Sequence, residues 1–178
     1  TIIKNPCKTC RGTGKTAARK SLEINIPAGI DDDQNIALRG QGDAGSNGGP
    51  AGDVIVHVTV KADPMFERDG DDVTIHVPIT FSQAVLGDDV EVPTVDGRIV
   101  QHIPEGTQSG TKFRLRGQGI QYLNGRGRGD QYVIVDVEIP KKVTRAQREA
   151  LKAFEDSMKE DNYEKRKGFF KNLRDRFS

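Results

Sequence analysis

Up to about residue 140 the chain reads as short apolar alternations broken by glycine, proline and aspartate; after that it turns to helical spacing. Within Asp53–Lys61, Val54, Val56, Val58 and Val60 alternate with Ile55, His57 and Thr59. A period of two gives a strand with one strongly apolar face. The same reasoning predicts strands over Leu22–Ile26, Ile36–Arg39, Val73–Val77, Val90–Val92, Ile99–Ile103, Lys112–Arg116 and Gln131–Ile139. About one helical turn fits Ser82–Leu86. Many short strands at regular spacing point to a mainly β fold of the sandwich or barrel kind. From Thr144 the signals change. Thr144 and Gln147 have the spacing of a capping box, and Ala150, Leu151, Phe154 and Met158 fall on one helical face. A second amphipathic stretch sets Phe169, Phe170, Leu173 and Phe177 against Lys171, Arg174 and Arg176. Packing on the nearer β domain and presentation to a partner are equally good uses of these stripes.

An internal repeat organises the β part. Ile26-Pro27-Ala28-Gly29 returns as Ile103-Pro104-Glu105-Gly106, and Leu38-Arg39-Gly40-Gln41-Gly42 returns unchanged as Leu115-Arg116-Gly117-Gln118-Gly119. Gly52-Asp53 and its valine strand return as Gly129-Asp130 and Val133-Ile134-Val135. All three pairs share one offset of 77 residues. The pattern predicts two tandem copies of one β domain, meeting near Pro64–Gly70. No helix follows Gly40-Gln41-Gly42, so the glycines read as turn formers rather than a phosphate cradle.

The 178 residues are enough for one large domain or two small ones. Lys plus Arg (27) nearly cancel Asp plus Glu (26), leaving +1, so the whole chain offers no electrostatic case for nucleic acid or an anionic membrane. The charge is uneven: residues 141–178 carry +5 and the rest −4. No apolar run approaches the roughly 20 residues of a membrane helix, and no secretory signal is visible. A first residue that is Thr rather than Met suggests a piece of a longer chain. Two cysteines cannot build a disulfide scaffold, so a reducing compartment is the default. No nucleophile elbow, Walker loop or H-E-x-x-H motif is present, and no enzyme activity is expected. The acidic turns Asp31-Asp32-Asp33 and Asp69 to Asp72 lack the ligand spacing and closing Glu of a calcium loop.

Cys7-Lys8-Thr9-Cys10-Arg11-Gly12-Thr13-Gly14 is a C-x-x-C-x-G-x-G motif. Two thiolates at this spacing suit one Zn²⁺ on a tight knuckle, where the glycines let the backbone turn. Tetrahedral zinc needs four ligands. His57, His76 and His102 sit in strand-like runs without ligand spacing. A redox motif would open a helix after a βαβ pattern, which is missing. The motif therefore reads as half of a zinc site.

This motif resembles one of the four repeats in the zinc domain of DnaJ-type (type I J-domain) co-chaperones. So do the I-P-A-G turn, both L-R-G-Q-G segments, G-P-A-G-D at Gly49–Asp53, F-E-R-D-G at Phe66–Gly70, A-V-L-G at Ala84–Gly87 and V-P-T-V-D-G at Val92–Gly97. The resemblance covers essentially the whole chain, in the family's order, in a bacterial or organellar spelling. It implies the end of a zinc domain over residues 1–18, and a first β client-binding domain over 19–64 whose opening strands fall outside this chain. A second β domain over 65–141 and a helical dimerisation segment over 142–178 follow. The J domain's His-Pro-Asp signature, the Gly/Phe linker and three zinc motifs are not in the sequence.

Function follows from the resemblance as an expectation. The family binds exposed apolar stretches of unfolded proteins, prevents their aggregation and passes them to the chaperone DnaK with its nucleotide-exchange factor. It acts as a homodimer in heat-shock and replication-complex work. The expected location is the cytoplasm, or the mitochondrial matrix for an organellar form. Cys7 and Cys10 inherit a zinc-ligand role. The client segment is expected to add as a strand to the first β domain, with Leu22 and Val56 in its pocket. On pattern, Leu22 and Ile24 facing Val54 and Val56 could line a pocket, but an ordinary core is the better account of all four; the resemblance brings the two readings level for Leu22 and Val56. Dimerisation falls to Leu151, Phe154, Met158, Phe169, Phe170, Leu173 and Phe177. The rival reading is a zinc-ribbon nucleic-acid module using Arg11, Lys15, Arg19, Lys20 and Lys165-Arg166-Lys167. It lacks aromatic residues near the first cluster on which bases could stack.

Overall fold

The computed structural model describes residues 7–10, 15–46 and 49–177. The architecture is mainly β. The strands are β1 (Asn35–Leu38), β2 (Val54–His57), β3 (Phe66–Asp69), β4 (Asp72–Thr80), β5 (Asp88–Thr94), β6 (Gly97–Ile103), β7 (Thr111–Leu115) and β8 (Gln131–Glu138). Helix α1 (Phe81–Leu86) separates β4 from β5, and α2 (Arg145–Ser157) and α3 (Glu164–Phe177) end the chain. β1 and β2 pair antiparallel from Asn35↔His57 to Leu38↔Val54. A second sheet has the order β3-β4-β8-β7, and β5 pairs with β6.

The elements follow from local chemistry. β8 alternates buried Gln131, Val133 and Val135 with half-buried Tyr132, Ile134 and Asp136, the period of a pleated strand. Thr80 caps α1 with a capping box that the sequence reading missed: its hydroxyl accepts from Gln83 N at 3.2 Å while Gln83 Oε1 accepts from Thr80 N at 2.9 Å. Thr144 and Gln147 form the box foreseen for α2, at 3.3 and 2.8 Å.

The 77-residue repeat is visible as matched backbone geometry. Gly40 and Gly117 have φ of 65° and 67°, and each N–H donates to an aspartate, Asp53 or Asp130, at 2.8 Å. Gly42 N donates to Gly52 O at 2.8 Å, and Gly119 N to Gly129 O at 2.9 Å. Asp33, with φ 59°, stands where the second copy has Gly110, with φ 83°. The two aspartates differ in one respect. Asp130 also accepts from Arg114 Nε at 2.7 Å. The Gly117 N–H first, and Arg114 second, hold its carboxyl below the usual range.

One predicted strand is not there. Leu22–Ile26 forms no ladder. Its counterpart 77 residues on is β6, which needs β5 beside it; the residues matching β5 fall at 11–17, where glycine and lysine replace the valine alternation. Conversely β3 was not foreseen, because Phe-Glu-Arg-Asp carries no apolar alternation.

The chain divides into two compact units. One comprises residues up to His76, Val92–Ile99 and Lys112–Ile134; the other comprises Val77–Glu91, Val100–Thr111 and Val135–Ser178. The first buries Val73, Ile75, Val92 and Val133 with Thr94 and Gln131, whose Nε2 donates to Pro93 O at 2.7 Å. The second buries Val77, Ile79, Ala84, Ile103 and Val135.

Candidate functional site

Cys7 is exposed and Cys10 half-buried, on a turn that runs through Lys8 and Thr9. The Cys7 thiol is lowered from its ordinary 9.0 to about 7. The main cause is the Cys10 backbone N–H, followed by that of Thr9 and then the Cys10 side chain, all favouring the thiolate. The thiolate, the form that ligates a soft cation, is thereby favoured at Cys7. Among the described residues no group of three or more His, Cys, Asp or Glu side chains is arranged to hold a metal. Arg11 and Gly12-Thr13-Gly14 of the motif lie outside the described residues. Lys15 Nζ donates to Ala44 O and Lys20 Nζ to Gln41 Oε1, both at 2.6 Å, so these lysines fasten the glycine-rich loop. His57 bonds Asn35 at 3.0 Å and His102 bonds Asp89 at 2.6 Å, each within its own strand neighbourhood.

The acidic turns are likewise tied into the fold. Asp32 Oδ1 accepts from Val60 N at 2.8 Å, and Asp72 Oδ1 from Asp130 N at 2.6 Å.

The structure places Val54 and Val56 on the less exposed face of β2, both half-buried, with Ile55 on the other face at 69% exposure. Leu22 is half-buried and Ile24 exposed on the unpaired segment before the I-P-A-G turn. Of the four positions, the repeat offers an apolar counterpart for two: Val133, matching Val56, is 0% exposed, whereas Ile99, matching Leu22, is half-buried as Leu22 is. The nearest cavity along the chain, lined by Asn25, Pro27, Ile30, Ile36 and Leu123 among others, contains none of the four candidate residues.

The tail residues fall into two groups. Leu151 and Phe154 line a strongly apolar groove of about 550 Å³ with Phe81, Val85, Leu86 and Val143. Phe154 meets Phe81 edge-on, with 5.8 Å between ring centroids. Met158, Phe170 and Leu173 line a second, mixed cavity with Tyr163 and Arg166. Phe169 and Phe177 stay exposed on α3. Sequence reasoning missed the contribution of α1. Phe81 and Leu86 lie in a six-residue element, too short for periodicity to speak. Among the described residues no helix is long and apolar enough to cross a membrane.

Comparison with known proteins agrees with the repeat and the tail. The chaperone protein DnaJ of Acetivibrio thermocellus is 49% identical over 174 residues, covering 98% of this chain and 45% of that protein. Its namesake in Ruminiclostridium cellulolyticum is 52% identical over 190 residues, covering 99% and 50%. The Bacillus cereus protein is 50% identical over 161 residues, covering 90% and 43%. The chain thus spans about half the length of the curated relatives it matches. Residues 146–178 match the family described as chaperone protein DnaJ C-terminal region. Residues 5–140, the span holding both copies of the repeat, match the DnaJ C terminal domain, and to that family this chain belongs.

Proposed function

We propose that this chain is the client-holding part of a non-enzymatic DnaJ-type co-chaperone, which captures exposed apolar segments of unfolded proteins and delivers them to DnaK. The observation that supports the reading is the placing of Val54 and Val56 on one half-buried face of β2, with Leu22 half-buried on the unpaired segment before the I-P-A-G turn. An extended client supplies its own backbone hydrogen bonds to a strand edge and drops an apolar side chain beside Leu22, Ile24, Val54 and Val56. Residues 19–64 act as the principal client domain and 65–141 as the second. Cys7 and Cys10 supply two thiolates of a zinc knuckle that closes residues 1–18. Zinc there would act as a structural cross-link. The donor chemistry fits, since a thiol near 7 loses its proton readily to a metal. The tail over 142–178 joins two copies. The apolar groove at α1 and α2 and the exposed Phe169 and Phe177 support that assignment, since a groove and a helix stripe in one chain can be exchanged between two.

The test is Leu22→Asp combined with Val56→Asp. A charge placed in a desolvated pocket costs several-fold or more in affinity. Fluorescence anisotropy with an apolar peptide, and light scattering of a denatured client, should both show weakened capture while far-UV dichroism stays native. A folded double variant with unchanged affinity removes this pocket.

A further inference from the structure

We propose that the cavity formed by the end of α2, the turn after it and α3 binds a single-chain aliphatic carboxylate, with the alkyl chain against Met158, Phe170 and Leu173 and the head group at Arg166 and Lys159. The proposal goes beyond the client-holding reading and does not depend on it.

The cavity walls are apolar and incompletely covered. Phe170 and Leu173, on one face of α3, border it and remain 48% and 42% exposed. Met158, the C-cap of α2, and Tyr163, at the end of the intervening 3-10 turn Glu160–Asn162, line it and are half-buried. Phe169 meets the Phe170 ring edge-on, with 5.4 Å between centroids, and so steadies that wall. The volume of about 510 Å³ lies within the range of small-molecule sites, roughly 300–1,000 Å³. Met158, Phe170 and Leu173 do not border the groove at α1 and α2, so the pairing of two copies through that groove leaves them uncovered.

The rim selects the sign of the ligand. Lys159, Arg166, Lys167 and Arg174 border the cavity against only two carboxylates, Glu155 and Glu160. Asp161, outside the lining, pairs with Lys167, and one cation still remains in excess. The Arg166 pairing is loose. Its Nη1 stands 4.0 Å from Glu155 Oε1, and both side chains are mostly exposed, a pair of little strength. The same carboxylate accepts from the Tyr163 hydroxyl at 3.4 Å. Arg166 can therefore turn to an incoming carboxylate at small cost and meet it with two parallel N–H donors. A second α3 is a poorer occupant. The helix carries six cations against two acids, so it would bring like charge to like. A carboxylate on an alkyl chain satisfies wall and rim together.

The full chain has two methionines, and only Met158 borders the cavity; Met65 does not. Labelling both methyl groups with ¹³C thus gives a probe and an internal reference. NMR titrations use octanoate, decanoate and 1-octanol, each below the concentration at which it aggregates. Octanoate should move the Met158 signal saturably at one site and leave Met65 in place. Decanoate should bind about tenfold more tightly, the gain from two further buried CH₂ groups. Lys159→Gln combined with Arg166→Gln should weaken octanoate about tenfold and leave octanol unchanged, since it removes only the charged hydrogen bonds. Both positions are exposed, so this variant should keep its native far-UV dichroism. Leu173→Asn should weaken both ligands. Shifts that fail to saturate, or that appear equally at Met65, show adsorption without a site and overturn the proposal. Equal effects of the glutamine pair on octanoate and octanol overturn it too, by removing the role of the rim. Octanoate affinity that falls as the chain concentration is raised assigns the cavity to a second copy and likewise overturns it.

Discussion

Gly129 and Gly52 occupy the same place in the two copies, yet alanine should act on them in opposite directions. At Gly129 an added Cβ would overlap the carbonyl oxygen of Asp71, a backbone atom with no freedom to swing away. At Gly52 the nearest atom to an added Cβ is Asp43 O at 3.9 Å, an ordinary contact. Relieving the overlap displaces a segment in which Gly129 N donates to Ile120 O and Gly119 N donates to Gly129 O, both at 2.9 Å, with Asp130 N donating to Asp72 Oδ1 at 2.6 Å. Weakening three hydrogen bonds worth about 1 kcal/mol each costs about 3 kcal/mol. The reduced freedom of the unfolded chain returns about 0.4–1 kcal/mol. The net loss for Gly129→Ala is about 2 kcal/mol, or about 4–8 °C in Tm for a chain of this size. Gly52→Ala keeps only the unfolded-state gain and should raise Tm by about 1–4 °C. Calorimetric melts of the full chain, with urea midpoints as a second measure, read both. Shifts of the same sign and size in the two variants would show that the Asp71 contact does not govern the site, and the steric reasoning would fall.

Iodoacetamide labelling of Cys7 should rise with pH through a midpoint of about 7 rather than 9.0, because the thiolate is the reactive form. Cys10→Ala should retain most of that shift, since the backbone N–H of residue 10 is its leading cause; mass spectrometry of the labelled peptide decides it. Zinc should bind this chain at well under one equivalent per monomer, because two thiolates leave half the tetrahedron to other ligands; atomic absorption of a monomeric fraction finding a full equivalent would refute this. Removing residues 144–178 should leave a folded monomer that holds long clients less well. Identical monomeric sedimentation of the full and truncated chains at about 10–50 μM, where modest helical interfaces associate, would assign the tail to packing within the chain.

What could be read from the sequence depended on whether the signal was local. The β8 strand, read as Gln131–Ile139 and found at Gln131–Glu138, and the Thr144 capping box were both legible because each is encoded in a few neighbouring residues. β4, expected over Val73–Val77, runs on through Pro78 to Thr80. β3 pairs with it only as far as Ile75, so the missing proline N–H deprives that neighbour of nothing. Leu22–Ile26 has the alternation of a strand, but a ladder also needs a neighbour, which alternation does not encode. Apolar residues such as Val56 and Val133 look alike in sequence whether they line a core or an accessible face. The tail stripes were legible as helices, whereas their grouping around Phe81 depends on tertiary packing. The bonds from Arg68 to the carbonyls of Gly29 and Ile30 were hidden for the same reason: these partners lie nearly forty positions away in sequence.

The corner between β5 and β6 is closed by Val95 and Asp96, with Arg128 paired to Asp96 beneath it. Shifted back by the repeat, the same corner falls at Ala18 and Arg19, just after the cysteine knuckle. One architectural position thus closes a strand pair in the second copy and follows shortly after a cysteine motif in the first. Lengthening a surface loop is thermodynamically cheap, about 0.6 kcal/mol for each doubling. The turn at Val95-Asp96 is consequently a natural grafting port. A reporter peptide, an affinity handle or a second metal module could be spliced there, and β5 and β6 would keep their register because the ladder begins beyond the splice.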